Sequence, residues 1–283
     1  MAPENKNIRF NMVELHSENY ERIRPLLLGM DFHLVGRSIL TKKTPAQIFV
    51  DNAEQPTALF AQAGHRFILA GDASISNFNQ RIKAYFTEVI LPQAKAEGLG
   101  GFAVYYDIPA WEEKLESLIE GKEIIHASRE YYACKEVKKN WHNILPNDFQ
   151  LKMVDNDLLS IPNLKHIETL KEEMTSERPS VEDFLAKSFG VCAIHDNELA
   201  GWCLSEYNAD GRCEIGIETS SDYRQRGIAT ALTLAILEHA FSHGIHEVGW
   251  HCFKRNEASA KTARKAGFDK VCDYKSFIVI LDK

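Results

Sequence analysis

The most constraining feature of the sequence is the passage from Glu214-Ile-Gly-Ile-Glu-Thr219 through Tyr223-Arg-Gln-Arg-Gly-Ile-Ala-Thr230 into the apolar run that follows. A β-type segment enters a short turn containing Gly227, and a long helix from about Ile228 to Phe241 leaves it. Strand, tight turn and helix start together aim several backbone N–H groups at one point. The helix dipole and these free amides favour an anion there, typically a phosphate. Gly227 and Ala229 are small enough for a bulky ligand to reach the backbone, and Arg224 and Arg226 bring positive charge to the rim. Taken alone, the six-residue pattern Arg-x-x-Gly-x-Ala is also what an ordinary exposed loop before a helix can carry.

The surrounding pattern narrows the reading. Leu151–Val154 reads as a strand, Leu164–Met174 and Val181–Ser188 as helices, and Val191–Ile194, Leu199–Tyr207 and Cys213–Thr219 as a meander. Asp196-Asn197 and Asn208-Ala-Asp-Gly211 supply the meander's turns. After the long helix come a strand at His246–Cys252, a helix at Ala258–Ala266 and a closing strand at Ser276–Leu281. Trp250-His-Cys-Phe-Lys-Arg-Asn256, Ser259 and Lys265-Ala-Gly-Phe268 fall in that strand–helix unit.

These segments, in this order, resemble the GNAT acyltransferase superfamily over roughly residues 150–283. Arg224–Ala229 is similar to its pyrophosphate loop, Glu214–Thr219 to its fourth strand, and Trp250–Phe268 to its fifth strand and fourth helix. The likeness is greatest to bacterial two-domain members whose N-terminal half is divergent. It implies an α+β fold, with a mixed, mostly antiparallel sheet flanked by helices whose fourth and fifth strands splay apart to take coenzyme A. Carried onto matching positions, it implies acetyl-CoA as co-substrate. Backbone near Ile217, Glu218 and Thr219 would meet the pantetheine arm, and the loop from Arg224 through Gln225, Arg226, Gly227, Ile228, Ala229 and Thr230 the pyrophosphate. Asn256 and Ser259 would lie beside the thioester.

The reaction so implied is acetyl transfer to a primary amine by direct attack on the thioester. An amine attacks only when neutral, so a base or water chain must take its proton. Glu214 is the first candidate, because fourth-strand glutamates serve this role in relatives; the plain alternative is a solvent-facing strand carboxylate. Glu206 and His251 are weaker candidates. Many relatives place a tyrosine acid on the fourth helix where this chain has Ala263, so protonation of the leaving thiolate falls to Ser259 or a bound water. That departure keeps a non-catalytic coenzyme A sensor or scaffold open as an alternative, beside transfer of a longer acyl group. Lys254, Arg255, Lys261, Arg264 and Lys265 form a basic stretch that reads most simply as a solvated helix face.

The first half is less legible. Gln47–Val50, Thr57–Ala61 and Phe67–Ala70 read as strands, and Phe78, Ile82, Tyr85, Phe86, Val89 and Ile90 mark one helical face. Phe102–Tyr106 is a further strand, and Trp111, Leu115, Leu118 and Ile119 mark another helix. The loosened pattern around Trp141–Phe149 places a boundary between an α/β domain at 1–145, compatible with a degenerate GNAT half, and a GNAT acetyltransferase domain at 146–283. No second copy of the loop motif occurs in the first half.

Two domains suit a length of 283 residues, and 45% hydrophobic with 26% charged residues is ordinary globular composition. A formal net charge of −7 argues against a general nucleic-acid surface. The six cysteines show neither C-x-x-C pairs nor zinc spacing, so no metal is expected and they read as free thiols of a cytoplasmic protein. The N-terminus lacks a signal-peptide core and no apolar run is long enough to span a membrane. The expected partner is a small-molecule or protein amine acceptor, with homodimerisation an open arrangement.

Overall fold

The turns marked in the sequence form as their residues dictate. Asp196 and Asn197 lie at φ 46° and 59°, and Asp210 and Gly211 at 51° and 72°. Two consecutive left-handed residues match the right-handed twist of a hairpin, and Asn, Asp and Gly adopt that conformation most cheaply. They join strands β8 (Gly190–His195), β9 (Glu198–Ala209) and β10 (Arg212–Thr219) into the expected meander.

The computed structural model describes residues 12–281. These divide into two compact units, 12–128 with 275–281, and 129–274. The boundary expected at 145/146 therefore lies inside the second unit, and the last residues of the chain belong with the first.

The first unit opens with β1 (Val13–Glu14), short helical turns and helix α1 (Leu34–Leu40). Strands β2 (Gln47–Val50), β3 (Ala58–Ala63) and β4 (Arg66–Gly71) form an antiparallel meander. Helix α2 (Ser76–Tyr85) passes through a π turn at Phe86–Ile90 into α3 (Leu91–Ala96). Pro92 gives no N–H to the ladder and crowds the carbonyl of the preceding turn, which the wider π turn relieves. Strand β5 (Gly101–Tyr106) then runs parallel to β4, and α4 (Glu112–Leu118) follows. Phe60, Phe67, Phe86 and Phe102 pack in the core beneath the helices, with neighbouring ring centroids 4.8–6.0 Å apart.

The second unit repeats this order. It runs from β7 (Gln150–Met153) through helices α5 (Ile167–Met174) and α6 (Val181–Lys187), the β8–β10 meander and the long helix α7 (Ile228–Ser242). Strand β11 (Glu247–Phe253) lies parallel to β10, and helix α8 (Glu257–Ala266) leads to the last strand. Helix α7 is apolar nearly all round, because its inner face packs on Cys213, Ile215, Val248 and Trp250 while helix α8 and the segment around Trp141 cover its flanks. The other face of the sheet carries Trp202 and Leu204 under helices α5 and α6.

The strands of each unit are completed by one from the opposite half of the sequence. The end of β6 (Glu123–Cys134) pairs with β11, from Phe253↔Arg129 to Val248↔Cys134. The end of β12 (Asp269–Ile280) pairs with β5, from Phe277↔Val104 to Ile280↔Gly101. Among the described residues no helix is long and apolar enough to cross a membrane.

Candidate active site

The site is set by where β10 and β11 stop pairing. Their parallel register runs from Arg212↔Glu247 to Ile215↔Trp250 and ends there. Beyond that rung, Gly216–Thr219 pair only with β9, and His251–Phe253 only with β6, among the described residues. The cause lies one residue earlier. Cys213 pairs with Asn208 but Ile215 with Ser205, so Glu206 and Tyr207 together oppose Glu214. Such a bulge bends the strand and increases its twist, which turns β10 away from β11. A wedge opens between the two strands, lined by backbone groups that the ladder leaves without a strand partner.

The loop between β10 and helix α7 follows at the wide end of the wedge. After β10, a turn at Ser221–Tyr223 leads to Gln225 at φ 63° and Gly227 at φ 86°, and helix α7 begins at Ile228. The first helical bond is Ala231 N–H to the carbonyl of Gly227, 3.0 Å. The N–H groups of Ile228, Ala229 and Thr230 therefore precede the ladder. The two arginines of the loop do not stand as bare charges. Arg224 donates to the Thr219 carbonyl at 3.1 Å and to Glu218 Oε1 at 3.3 Å. Arg226 donates to Asp148 Oδ2 at 2.8 Å and lies 4.7 Å from the centroid of the Phe149 ring. Both hold the loop to neighbouring elements, a role the sequence pattern alone did not distinguish from rim charge.

Asn256 and Ser259 sit where the sequence places them, at the start of α8, and each already has work in the fold. Asn256 Oδ1 caps the helix by accepting the Ser259 N–H at 3.1 Å. Ser259 Oγ accepts the Trp250 indole N–H at 3.0 Å, which fixes the hydroxyl beside the last paired rung of β11. Ala263 is fully buried in the core under α7, so the position that carries a tyrosine in many relatives faces inward here. Glu206 lies against Gly216, whose hydrogen leaves the space its carboxylate occupies; a Cβ there would come within 2.3 Å of Oε1.

Glu214 is buried, with 1% of its surface exposed. It belongs to the face of the sheet away from α7, because its neighbours Cys213 and Ile215 take the α7 side. His251 Nε2 lies 3.0 Å from its Oε1, and Gly249 stands opposite it in the register. Two of the weighed base candidates thus form one pair. Sequence reasoning missed its surroundings: Tyr131 on β6 stacks on the His251 ring, and Tyr274 on β12 meets its other nitrogen. Neither strand is close to Glu214 in sequence, and no local motif connects them.

A split parallel pair fed by an amide-rich loop at a helix start is the coenzyme A-binding arrangement of acyltransferases. The match to a family model described as GNAT acetyltransferase extends over residues 25–277. The chain belongs to the GNAT acetyltransferase family and is an acyltransferase. Among its relatives is an uncharacterized N-acetyltransferase, YdfB, of Bacillus subtilis (strain 168), 26% identical over 242 residues, with 84% of this chain and 87% of the relative covered. A GCN5-related N-acetyltransferase-like protein from Streptococcus suis 89/1591 has a similar crystal structure, with TM-score 0.70, 19% identity and coverage of 93% and 99% of the two chains. A tandem GNAT protein from the clavulanic acid biosynthesis pathway superposes with TM-score 0.59 at 10% identity, covering 94% and 97%.

Proposed function

We propose that the chain transfers an acetyl group from acetyl-CoA to a primary amine, with Glu214 taking the amine's proton. The observation that carries this reading is the early end of the β10–β11 ladder at Ile215↔Trp250, directly followed by the loop that presents the amides of Ile228, Ala229 and Thr230. An extended pantetheine arm can replace the missing strand partner, contacting the backbone at Ile217, Glu218 and Thr219. Its pyrophosphate then falls on the loop from Arg224 to Thr230.

In the reaction the amine nitrogen attacks the thioester carbonyl carbon, the C–N bond forms, and the C–S bond breaks. The amine's proton passes to the Glu214 carboxylate, directly or through one water. The departing thiolate takes a proton from solvent or through Ser259, which the Trp250 indole holds at the apex of the wedge. Orientation of the two substrates supplies the rest of the rate enhancement.

Calorimetric titration with acetyl-CoA, free coenzyme A and dephospho-coenzyme A tests the cofactor reading, with thiol release on a panel of amines to follow. Saturable binding with thiol release dependent on an amine is the expected result; absence of binding by folded protein would overturn it. Glu214→Gln should lower turnover by about 10²-fold or more while leaving acetyl-CoA affinity unchanged. Its wild-type turnover would remove Glu214 from the mechanism. The buried Ala263 favours one second reading, a non-catalytic coenzyme A-binding module. Tight binding without thiol release on any amine would select it.

A further inference from the structure

On the face of the second unit's sheet away from α7, four strands bring side chains to one imidazole. His251 on β11 places Nε2 3.0 Å from Glu214 Oε1 and Nδ1 2.9 Å from the Tyr274 hydroxyl. The Tyr131 ring stacks on the imidazole at 4.7 Å between centroids and 27° between planes. The Tyr131 hydroxyl is itself tied down, accepting from Arg212 at 3.3 Å and donating to Glu247 at 3.4 Å. Arg212 and Glu247 pair at 2.8 Å, and burial pushes the Tyr131 phenol well above its ordinary range, so it stays a neutral phenol. Gly249 gives the stack its room, since a Cβ there would lie 2.9 Å from the Tyr131 ring and 3.2 Å from Glu214 Cγ. The plane of His251 is thereby fixed by residues from β6, β10, β11 and β12.

The donor and acceptor chemistry of the groups at these distances assigns the protons. An ionised carboxylate only accepts, so the side of His251 facing Glu214 must carry N–H. A neutral imidazole has a single N–H; placed on Nε2, it leaves Nδ1 with a lone pair. A tyrosine hydroxyl donates readily and is the group at Nδ1. We infer that His251 and Tyr274 are positioning residues for Glu214: Tyr274 donates to Nδ1, which fixes the Nε2–H tautomer and keeps Glu214 ionised and oriented as the base. This rests on the reading of Glu214 as base given above, and it adds residues that no motif of the fold marks. If Tyr274 is removed, the imidazole is free to take the other tautomer. That form turns a lone pair toward the carboxylate, which then favours the protonated carboxyl, and a protonated Glu214 cannot accept the amine's proton.

The test uses Tyr274→Phe and His251→Gln in the full chain, with ¹⁵N-histidine spectra of the wild-type protein; loss of a resonance in His251→Gln assigns that ring. Wild-type His251 should show a protonated Nε2 and a bare Nδ1. Tyr274→Phe should lower kcat by about tenfold or more, with acetyl-CoA affinity and acceptor KM nearly unchanged and a mixture of tautomers in the spectrum. His251→Gln, which retains an N–H donor, should keep more activity than His251→Leu. A wild-type His251 resonance with the proton on Nδ1, or on both nitrogens, would overturn the assignment. So would wild-type turnover in Tyr274→Phe. These failures are separable from failure of the base itself, which Glu214→Gln reports independently.

Discussion

Gln225 and Gly227 show how much of the loop depends on single backbone conformations. Both lie at positive φ, 63° and 86°, and only the second is a glycine. A side chain at Gly227 meets ordinary contact distances at Ile144, 3.4 Å, so its cost is backbone strain of about 1 kcal/mol rather than collision. Gly227→Ala should therefore lower stability slightly and weaken acetyl-CoA binding little. Gly227→Glu carries the same strain and adds a carboxylate where the pyrophosphate would sit, so it should abolish binding with a melting temperature close to that of Gly227→Ala. Equal affinities in the two variants, read by calorimetry, would remove the loop from the cofactor site. At this scale the sequence was informative about position and less so about role. The residues at 224–230 stand where the motif puts them, whereas the ties from Arg226 to Asp148 and from Asn256 to its own helix require knowledge of what lies nearby.

Strands and helices were legible in proportion to how local their reasons are. The meander and helix α7 follow from turn residues and from periodicity. Strand β6 was not read, because its first half alternates neither burial nor polarity and its pairing with β11 is remote in sequence. The Phe78–Ile90 stripe suggested one uninterrupted helix; Pro92 imposes the π turn that divides it. Two outcomes belong to this scale. Gly249→Ala must displace Tyr131 or Glu214, so it should reduce kcat several-fold while acetyl-CoA still binds. On β6 and β12, Lys270 donates to Glu130 at 2.8 Å and to Asp273 at 3.0 Å, and Tyr132 donates to Glu130 at 2.7 Å. The hydrogen bond from Lys270, and then that from Tyr132, holds the Glu130 carboxyl below its ordinary value of 4.5, and Lys270 lowers Asp273 in the same way. A depressed carboxyl stabilises the fold above its unfolded value and loses that contribution as pH falls through the folded one. Lys270→Met should thus melt below wild type at pH 7, with the gap closing under acid; thermal melts across pH 7 to 3 give the comparison.

The two units share one order of elements and differ at the wedge. In the first unit β4 and β5 stay paired from Arg66↔Ala103 to Leu69↔Tyr106. Just beyond, Asp107 donates its N–H to the Leu69 carbonyl at 3.3 Å and accepts the Gly71 N–H on Oδ2 at 2.9 Å. The groups that diverge in the second unit are stitched together in the first, and the loop motif is absent. One acetyl-CoA per chain is the stoichiometry expected from calorimetry; two would mean that the stitch opens. The exchange of terminal strands explains why a boundary at 145/146 was attractive in sequence yet falls inside a unit, since linker-like composition reports local looseness and not which sheet a strand joins. A fragment of residues 146–283 lacks the β6 segment that pairs with β11, and should be insoluble or fail to bind acetyl-CoA, while adding residues 129–145 should improve its recovery.

The parted strands carry a further consequence. Unpaired strand edges invite other chains to add to them, which is how many β proteins aggregate. Here the two edges that part, Gly216–Thr219 and His251–Phe253, lie on neighbouring strands inside the sheet instead of on its rim. Each edge screens the other from a strand of a second molecule, so the same geometry on which the proposed pantetheine site rests would keep an open β-edge from becoming a template for fibrils.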